Sequence, residues 1–125
     1  LGVLAQPPTL TVGAPSTSFL TTGTFVATGS ATEAVVNGLP TVSQSFTNTY
    51  TGSLSVIMWV SVLNSAGQTA LVQIGGPATV AAGATATMQA ALFNLPSGSY
   101  TATIFLTTSS GTVVSTTSTA SSFTV

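Results

Sequence analysis

Residues 53–63 read Ser53-Leu-Ser-Val-Ile-Met-Trp-Val-Ser-Val-Leu63, the longest apolar run in the chain and the site of its one tryptophan, Trp59. Alternate positions Leu54, Val56, Met58, Val60 and Val62 make one face that is apolar throughout, the period-two pattern of a strand with that face in a core. The other face, Ser55, Ile57, Trp59, Ser61 and Leu63, is half apolar. A sheet with one face in water alternates more cleanly. The run therefore reads as a strand covered on both faces. The domain's own core supplies one cover, and the other has to come from something further.

Toward the C-terminus the same pattern repeats. Strand-like segments are Thr41–Tyr50, Ser53–Leu63, Gln68–Ile74, Thr85–Phe93, Ser99–Thr108 and Thr112–Val125. The breaks between them are Thr51-Gly52, Asn64-Ser-Ala-Gly67, Gly75-Gly-Pro77, Ala82-Gly83, Leu95-Pro-Ser-Gly98 and Ser109-Ser-Gly111, all with turn chemistry. Short strands at this spacing, with no helical stretch between them, indicate an all-β sandwich. The abundant Thr and Val suit it, because a β-branched side chain packs well on a pleated surface.

One local motif is more specific. Asn94-Leu-Pro-Ser-Gly-Ser-Tyr100 resembles the tyrosine corner of immunoglobulin-like and fibronectin-like sandwiches, in which a Tyr entering a late strand bonds back to upstream backbone. The resemblance covers residues 41–125 and implies an immunoglobulin-like antiparallel β-sandwich, with Tyr100, Ala102, Ile104 and Leu106 pointing inward. The Cys pair of true immunoglobulin domains is missing, since the chain has no cysteine.

Residues 1–40 are less regular. Leu1-Gly-Val-Leu-Ala5 is apolar and is followed by Pro7-Pro8, which removes ladder donors and stiffens the chain into a spacer. Residues 1–12 thus read as an extended N-terminal arm ahead of a single domain, 13–125. Three readings of the arm stay open: an edge strand packed on its own domain, an arm inserted into a neighbouring subunit, or a disordered segment. Residues 18–28 look like a strand or bent pair interrupted at Gly23. Ser30-Ala-Thr-Glu33 matches a capping box, with Asn37-Gly38 placed to close one or two helical turns. Glu33 itself reads as a solvated surface residue.

Composition excludes several functions. The chain of 125 residues has no Lys, Arg or His and a single acid, Glu33, while roughly a third of its residues are Ser or Thr, far above ordinary usage. Nucleic acid is not a partner, because phosphate binding needs cations. A hydrolase needs a base beside its nucleophile, or a pair of carboxylates, and neither exists here. A metal site needs converging carboxylates, His or Cys. We therefore expect neither an enzyme nor a cofactor. No apolar run has the length of a membrane-spanning helix. The chain begins at Leu1 rather than Met, and a removed secretory signal with an extracellular location is the expectation. No Asn lies in an Asn-x-Ser/Thr sequon; O-linked glycans are compatible with the many hydroxyls, without a chosen site.

Net charge near zero removes the repulsion that keeps copies apart, so either sugars on the hydroxyls keep the chain dispersed or association is its purpose. Four apolar residues fall on outward positions, Ile57, Trp59, Phe93 and Phe105, and grouped together they would mark a subunit interface. The Thr-x-Thr pairs (Thr9/Thr11, Thr22/Thr24, Thr47/Thr49, Thr85/Thr87, Thr101/Thr103) have no constant period and read as outward strand positions rather than an ice-binding array.

The uncharged Ser/Thr surface, the apolar arm before Pro7-Pro8, the sandwich core and the lack of a long N-terminal pilin helix together resemble the secreted β-sandwich subunits of archaeal surface filaments, thread-like or bundling pili. That resemblance implies donor-strand complementation, with a neighbour's arm adding backbone hydrogen bonds at an open sheet edge. The donor is either the N-terminal arm, anchored by Leu1, Val3, Leu4, Leu10 and Val12, or the C-terminal Thr112–Val125 strand, in a helical homopolymer of identical subunits used for adhesion or biofilm. Other classes remain in view: a self-complemented adhesin or surface-layer domain, and a carbohydrate-binding module with Trp59 as its platform.

The lack of charge makes one measurement decisive. Acid unfolds proteins mainly by protonating carboxylates that are better satisfied when folded, and here only Glu33 and a terminal carboxylate qualify. The urea midpoint is expected to be the same in strong acid as at neutral pH. A loss in acid well above the ~1.4 kcal/mol worth of one full pKa unit would contradict this.

Overall fold

The computed structural model describes residues 19–125. Seven strands follow one another: β1 (Phe25–Val36), β2 (Leu39–Asn48), β3 (Leu54–Asn64), β4 (Thr69–Val80), β5 (Thr85–Ala91), β6 (Ser99–Thr108) and β7 (Ser118–Thr124). They form two antiparallel sheets, one of three strands in the order β1-β2-β5 and one of four in the order β4-β3-β6-β7. The donor arm, with Leu1, Val3, Leu4, Leu10 and Val12, lies outside the described residues.

The inner faces are as the alternation requires. Val56, Met58, Val60 and Val62 of β3 are fully buried, as are Ala102, Ile104 and Leu106 of β6. They meet Val42 and Phe46 of β2 and Met88 and Ala90 of β5 in one cluster. Each large side chain so buried contributes about 1.5–3 kcal/mol. Tyr100 is buried too, and its hydroxyl donates to the Pro96 carbonyl at 2.6 Å, the backward bond expected from the Asn94–Tyr100 motif. Phe123 packs beside the ring, with centroids 6.1 Å apart.

Several sequence expectations need correction. Residues 30–36 form no helical turn; they are the second half of β1, paired with β2 from Thr32↔Ser43 to Val36↔Leu39. Asn37 (φ 52°) and Gly38 (φ 80°) join the two strands as a two-residue hairpin loop, the role for which Asn-Gly is best suited because both residues need positive φ. The β-branched Val35-Val36 and the long-range pairing outweigh a four-residue capping pattern. The interruption in this region falls at Gly29 (φ 75°), where the register shifts between Thr28 and Thr32; Gly23 sits in the preceding turn, where Thr24 N–H donates to Thr21 O.

Gly75-Gly-Pro77 does not end a strand. β4 runs through it to Val80, with a register shift opposite Val56 and Met58. A side chain at Gly75 would overlap the Gln89 carbonyl, so glycine here lets the edge of one sheet pass close to β5 of the other. Thr112–Val125, read as one strand, is divided. Val113 bridges to Thr107, Ser115 bridges in parallel to Phe25, and β7 starts only at Ser118. The Phe25 N–H donates to Val114 O at 2.8 Å, which ties the two sheets together at the start of β1.

Removing one atom tests the corner. Tyr100→Phe keeps the ring in the core and strands the Pro96 carbonyl, and should lower unfolding free energy by about 1 kcal/mol. Urea denaturation reads this directly, and an unchanged midpoint would show that the bond contributes nothing.

Candidate functional site

The two outer faces differ in chemistry. On the three-stranded sheet, register places Val26, Thr47 and Thr85 in one row and Thr28, Ser45 and Thr87 in the next. The hydroxyls bond to each other across the strands, Thr47 to Thr85 at 2.7 Å and Ser45 to Thr87 at 2.7 Å. This face is therefore a hydroxyl ladder whose hydrogen bonds are partly spent within it. Thr24, from one of the Thr-x-Thr pairs, is buried instead; its carbonyl accepts the Thr49 hydroxyl at 2.9 Å.

The four-stranded sheet carries the apolar surface. Trp59 of β3 pairs with Ile74 of β4 on one side and Phe105 of β6 on the other. Directly paired residues project from the same side of a sheet, so these three form a row across it. The Trp59 and Phe105 rings lie 6.3 Å apart with planes inclined by 8°. Ser61 stands in the adjoining row between Val72 and Thr103. Ile57 heads the row on the other side, opposite Thr107, which bridges to Val113.

Trp59 is fixed in place. Its indole Nε1–H donates to the Thr107 hydroxyl at 2.9 Å. Thr107 occupies an outward position, yet it is only 5% exposed, because the indole reaches over it from β3 while Val113 lies opposite. The tryptophan thus has no free donor and a held ring.

Of the four outward residues expected to form an interface, the structure brings Ile57, Trp59 and Phe105 together. It separates Phe93, which follows β5 in the other sheet and is 48% exposed. The extra cover expected over β3 is not supplied by any described strand: Ile57, Trp59 and Leu63 are only partly buried. Sequence reading missed Val72, Ile74 and Val113, all exposed. The alternation of Val72 and Ile74 was visible, but their face was fixed only by pairing with Ser61 and Trp59.

Two clefts open on the described surface. A cavity of about 340 Å³ at the far end of the same sheet is lined by neutral groups, among them Leu63, Asn64, Ser99, Tyr100 and Ser122. Glu33 lies elsewhere, on β1 beside a smaller cleft with Ser121 and Phe123 of β7. No acid–base pair is assembled in either place. Among the described residues no helix is long and apolar enough to cross a membrane. No protein-family model matches the chain, and no curated protein matches it.

Thr107→Val tests the anchoring of the indole. It keeps the shape of residue 107 and removes the acceptor, at a cost of about 1 kcal/mol. Tryptophan emission should shift as the indole N–H turns to solvent; identical spectra would show that the ring is held by packing alone.

Proposed function

We propose that the chain is a structural subunit of an extracellular filament, an immunoglobulin-like sandwich that polymerises by lending its N-terminal arm to a neighbour. The observation that carries this reading is the union of an almost uncharged surface with a fixed apolar row. The row Ile74, Trp59 and Phe105, with Ile57 in the row beside it, has no described cover, and Glu33 is the one charged side chain. Nothing electrostatic opposes contact between copies. The strand order β1-β2-β5 facing β4-β3-β6-β7 and the Tyr100–Pro96 bond support the immunoglobulin-like assignment.

In this reading Leu1, Val3, Leu4, Leu10 and Val12 are the donor residues, and the β3–β6 row is a contact between subunits. The edges β1 and β7 flank a cleft lined by Ala31, Thr32, Ser121 and Phe123, which gives an extended segment unpaired backbone to join. Repetition of one head-to-tail contact produces an open filament rather than a closed ring. With no ion pairs at the joints, assembly is insensitive to salt. O-linked glycans on exposed hydroxyls are compatible with it.

A second reading has its own support. The held Trp59 ring beside Phe105, with Ser61 and Thr103 hydroxyls in the adjoining row, suits a neutral sugar, whose apolar face stacks on aromatics. It predicts a monomer.

Electron cryo-microscopy of material from the cell surface separates the two. Thin filaments with the arm of one subunit entering the next support polymerisation. Deleting Leu1–Gln6 should abolish the filaments and leave a sandwich that is soluble or aggregates. Normal filaments from that deletion would rule out the arm, and dispersed monomers with the arm folded back would favour the sugar-binding or adhesin reading.

A further inference from the structure

We infer that the cleft at the Asn64–Gln68 end of the four-stranded sheet is a binding site for a neutral saccharide. The inference is independent of the filament reading, because a polymerised subunit and a monomer would carry the site alike.

Two local irregularities make the cleft. β3 and β4 meet in a loop that Asn64 holds: its Oδ1 accepts from the Ala66 N–H at 2.9 Å and from the Gln68 N–H at 3.0 Å, and Gly67 turns the chain with φ 80°. On the other side β7 bulges. Tyr100 pairs with Phe123 and Ala102 with Ala120, so Ser121 and Ser122 both stand against Thr101. Ala120 and Phe123 are buried, and the two serines between them are exposed. Without the extra residue, strict alternation from Ala120 would turn Ser122 toward the core. The cavity of about 340 Å³ is at the lower end of the ~300–1,000 Å³ that small-ligand sites occupy.

The lining decides the ligand. Leu63 and Tyr100 supply its apolar part, and Ser65, Ser99, Thr101 and Ser122 bring hydroxyls. None of these hydroxyls bonds to another described residue. On the three-stranded sheet the hydroxyls satisfy one another, Thr47 with Thr85 and Ser45 with Thr87; in the cleft they are left for water or a ligand. A hydroxyl both donates and accepts, as the hydroxyls of a sugar do, and the C–H face of a sugar ring suits the carbon of Leu63 and Tyr100. A charged ligand would lose hydration with no counter-charge in the lining, since Glu33 borders the other cleft. A wholly apolar ligand would strip water from the hydroxyls and return no hydrogen bond.

The walls are already set. The Tyr100 hydroxyl is committed to the Pro96 carbonyl at 2.6 Å, and its ring rests beside Phe123, so binding has little left to order. The site is separate from the aromatic row. Leu63 lies four residues beyond Trp59 on β3, about 13 Å along the strand.

Saturation-transfer NMR, which observes the sugar and so reads monomers and filaments equally, tests this on the full chain. The probes are neutral disaccharides of glucose, galactose, mannose and N-acetylglucosamine, with glucosamine and glucuronic acid as charged comparisons. At least one neutral disaccharide should show saturable transfer that neither charged sugar matches. The double variant Thr101→Val with Ser122→Ala should weaken that binding by at least about fivefold, the worth of one lost hydrogen bond. Ser45→Ala, on the hydroxyl ladder, should leave it unchanged. Near-UV circular dichroism checks that each variant is folded. No saturable transfer to any neutral disaccharide overturns the proposal, as does equal binding by the folded double variant. Loss in Phe105→Ala with retention in the double variant overturns it too and puts the sugar on the aromatic row. Each of these results leaves the filament reading to its own test.

Discussion

Every buried polar group in this molecule has to be satisfied by a neutral partner, because the chain has almost no ionic groups to offer. A buried polar atom without a partner costs about 1–3 kcal/mol, so the architecture depends on how amides and hydroxyls are spent. Asn48, fully buried, is the clearest case. Its side-chain amide donates to Val80 O at 2.9 Å and Gly52 O at 3.1 Å, while its Oδ1 accepts from Tyr50 N–H at 2.8 Å. One residue thereby holds the end of β2, the turn before β3 and the end of β4. Gln44 does similar work at the bulge, where its Nε2 donates to Gly29 O at 3.1 Å and its Oε1 accepts from Ser118 on the other sheet. No buried side-chain nitrogen or oxygen among the described residues lacks a partner.

The same constraint shapes the edges. Many β proteins guard edge strands with lysine, whose charge repels an incoming strand. This chain has none. Its guards are geometric: the Gly29 bulge in β1, and the register shift of β4 beside Pro77, where an edge tolerates proline because no ladder donor is needed. β7, which is hydrogen-bonded only to β6, carries a similar irregularity, with Ser121 and Ser122 standing against Thr101 alone where the register shifts between Tyr100 and Ala102.

Much of the fold was legible because the relevant signals were local or strictly periodic. The alternation in 53–63 placed Leu54, Val56, Met58, Val60 and Val62 on the core face; the last four are fully buried and Leu54, at the start of the strand, is partly buried. The Tyr100 hydroxyl bond followed from seven consecutive residues. What was not legible depended on partners distant in sequence. Ser30–Glu33 has the local features of a helix start, but its backbone donors and acceptors are met by β2, and nothing within the stretch announces that. Gly75 looks like a turn residue; its reason for being glycine is the Gln89 carbonyl of another strand. The apolar row was half legible for the same reason. Ile57 and Trp59 are two apart on one strand, whereas Ile74 joins them only through cross-strand register. Phe93 has the outward parity of the others but follows the end of β5, a strand of the other sheet.

The distribution of apolar surface carries the final step. An uncharged protein with apolar side chains scattered over all its faces would aggregate without direction. Here the hydroxyl ladder of Ser45, Thr47, Thr85 and Thr87 keeps one broad face mostly polar, with Val26 the exposed apolar residue in its row, and its hydroxyls are already engaged with each other. Exposed apolar residues are confined mainly to the outer face of the opposite sheet and to the two ends of the ladder-bearing sheet. Any contact between copies would thus be restricted by hydration of neutral groups rather than by like-charge repulsion. Neutral hydroxyls do not titrate, and salt does not screen them as it screens charges. A restriction built this way persists in acid and in brine, conditions in which a surface organised by ion pairs would lose its specificity.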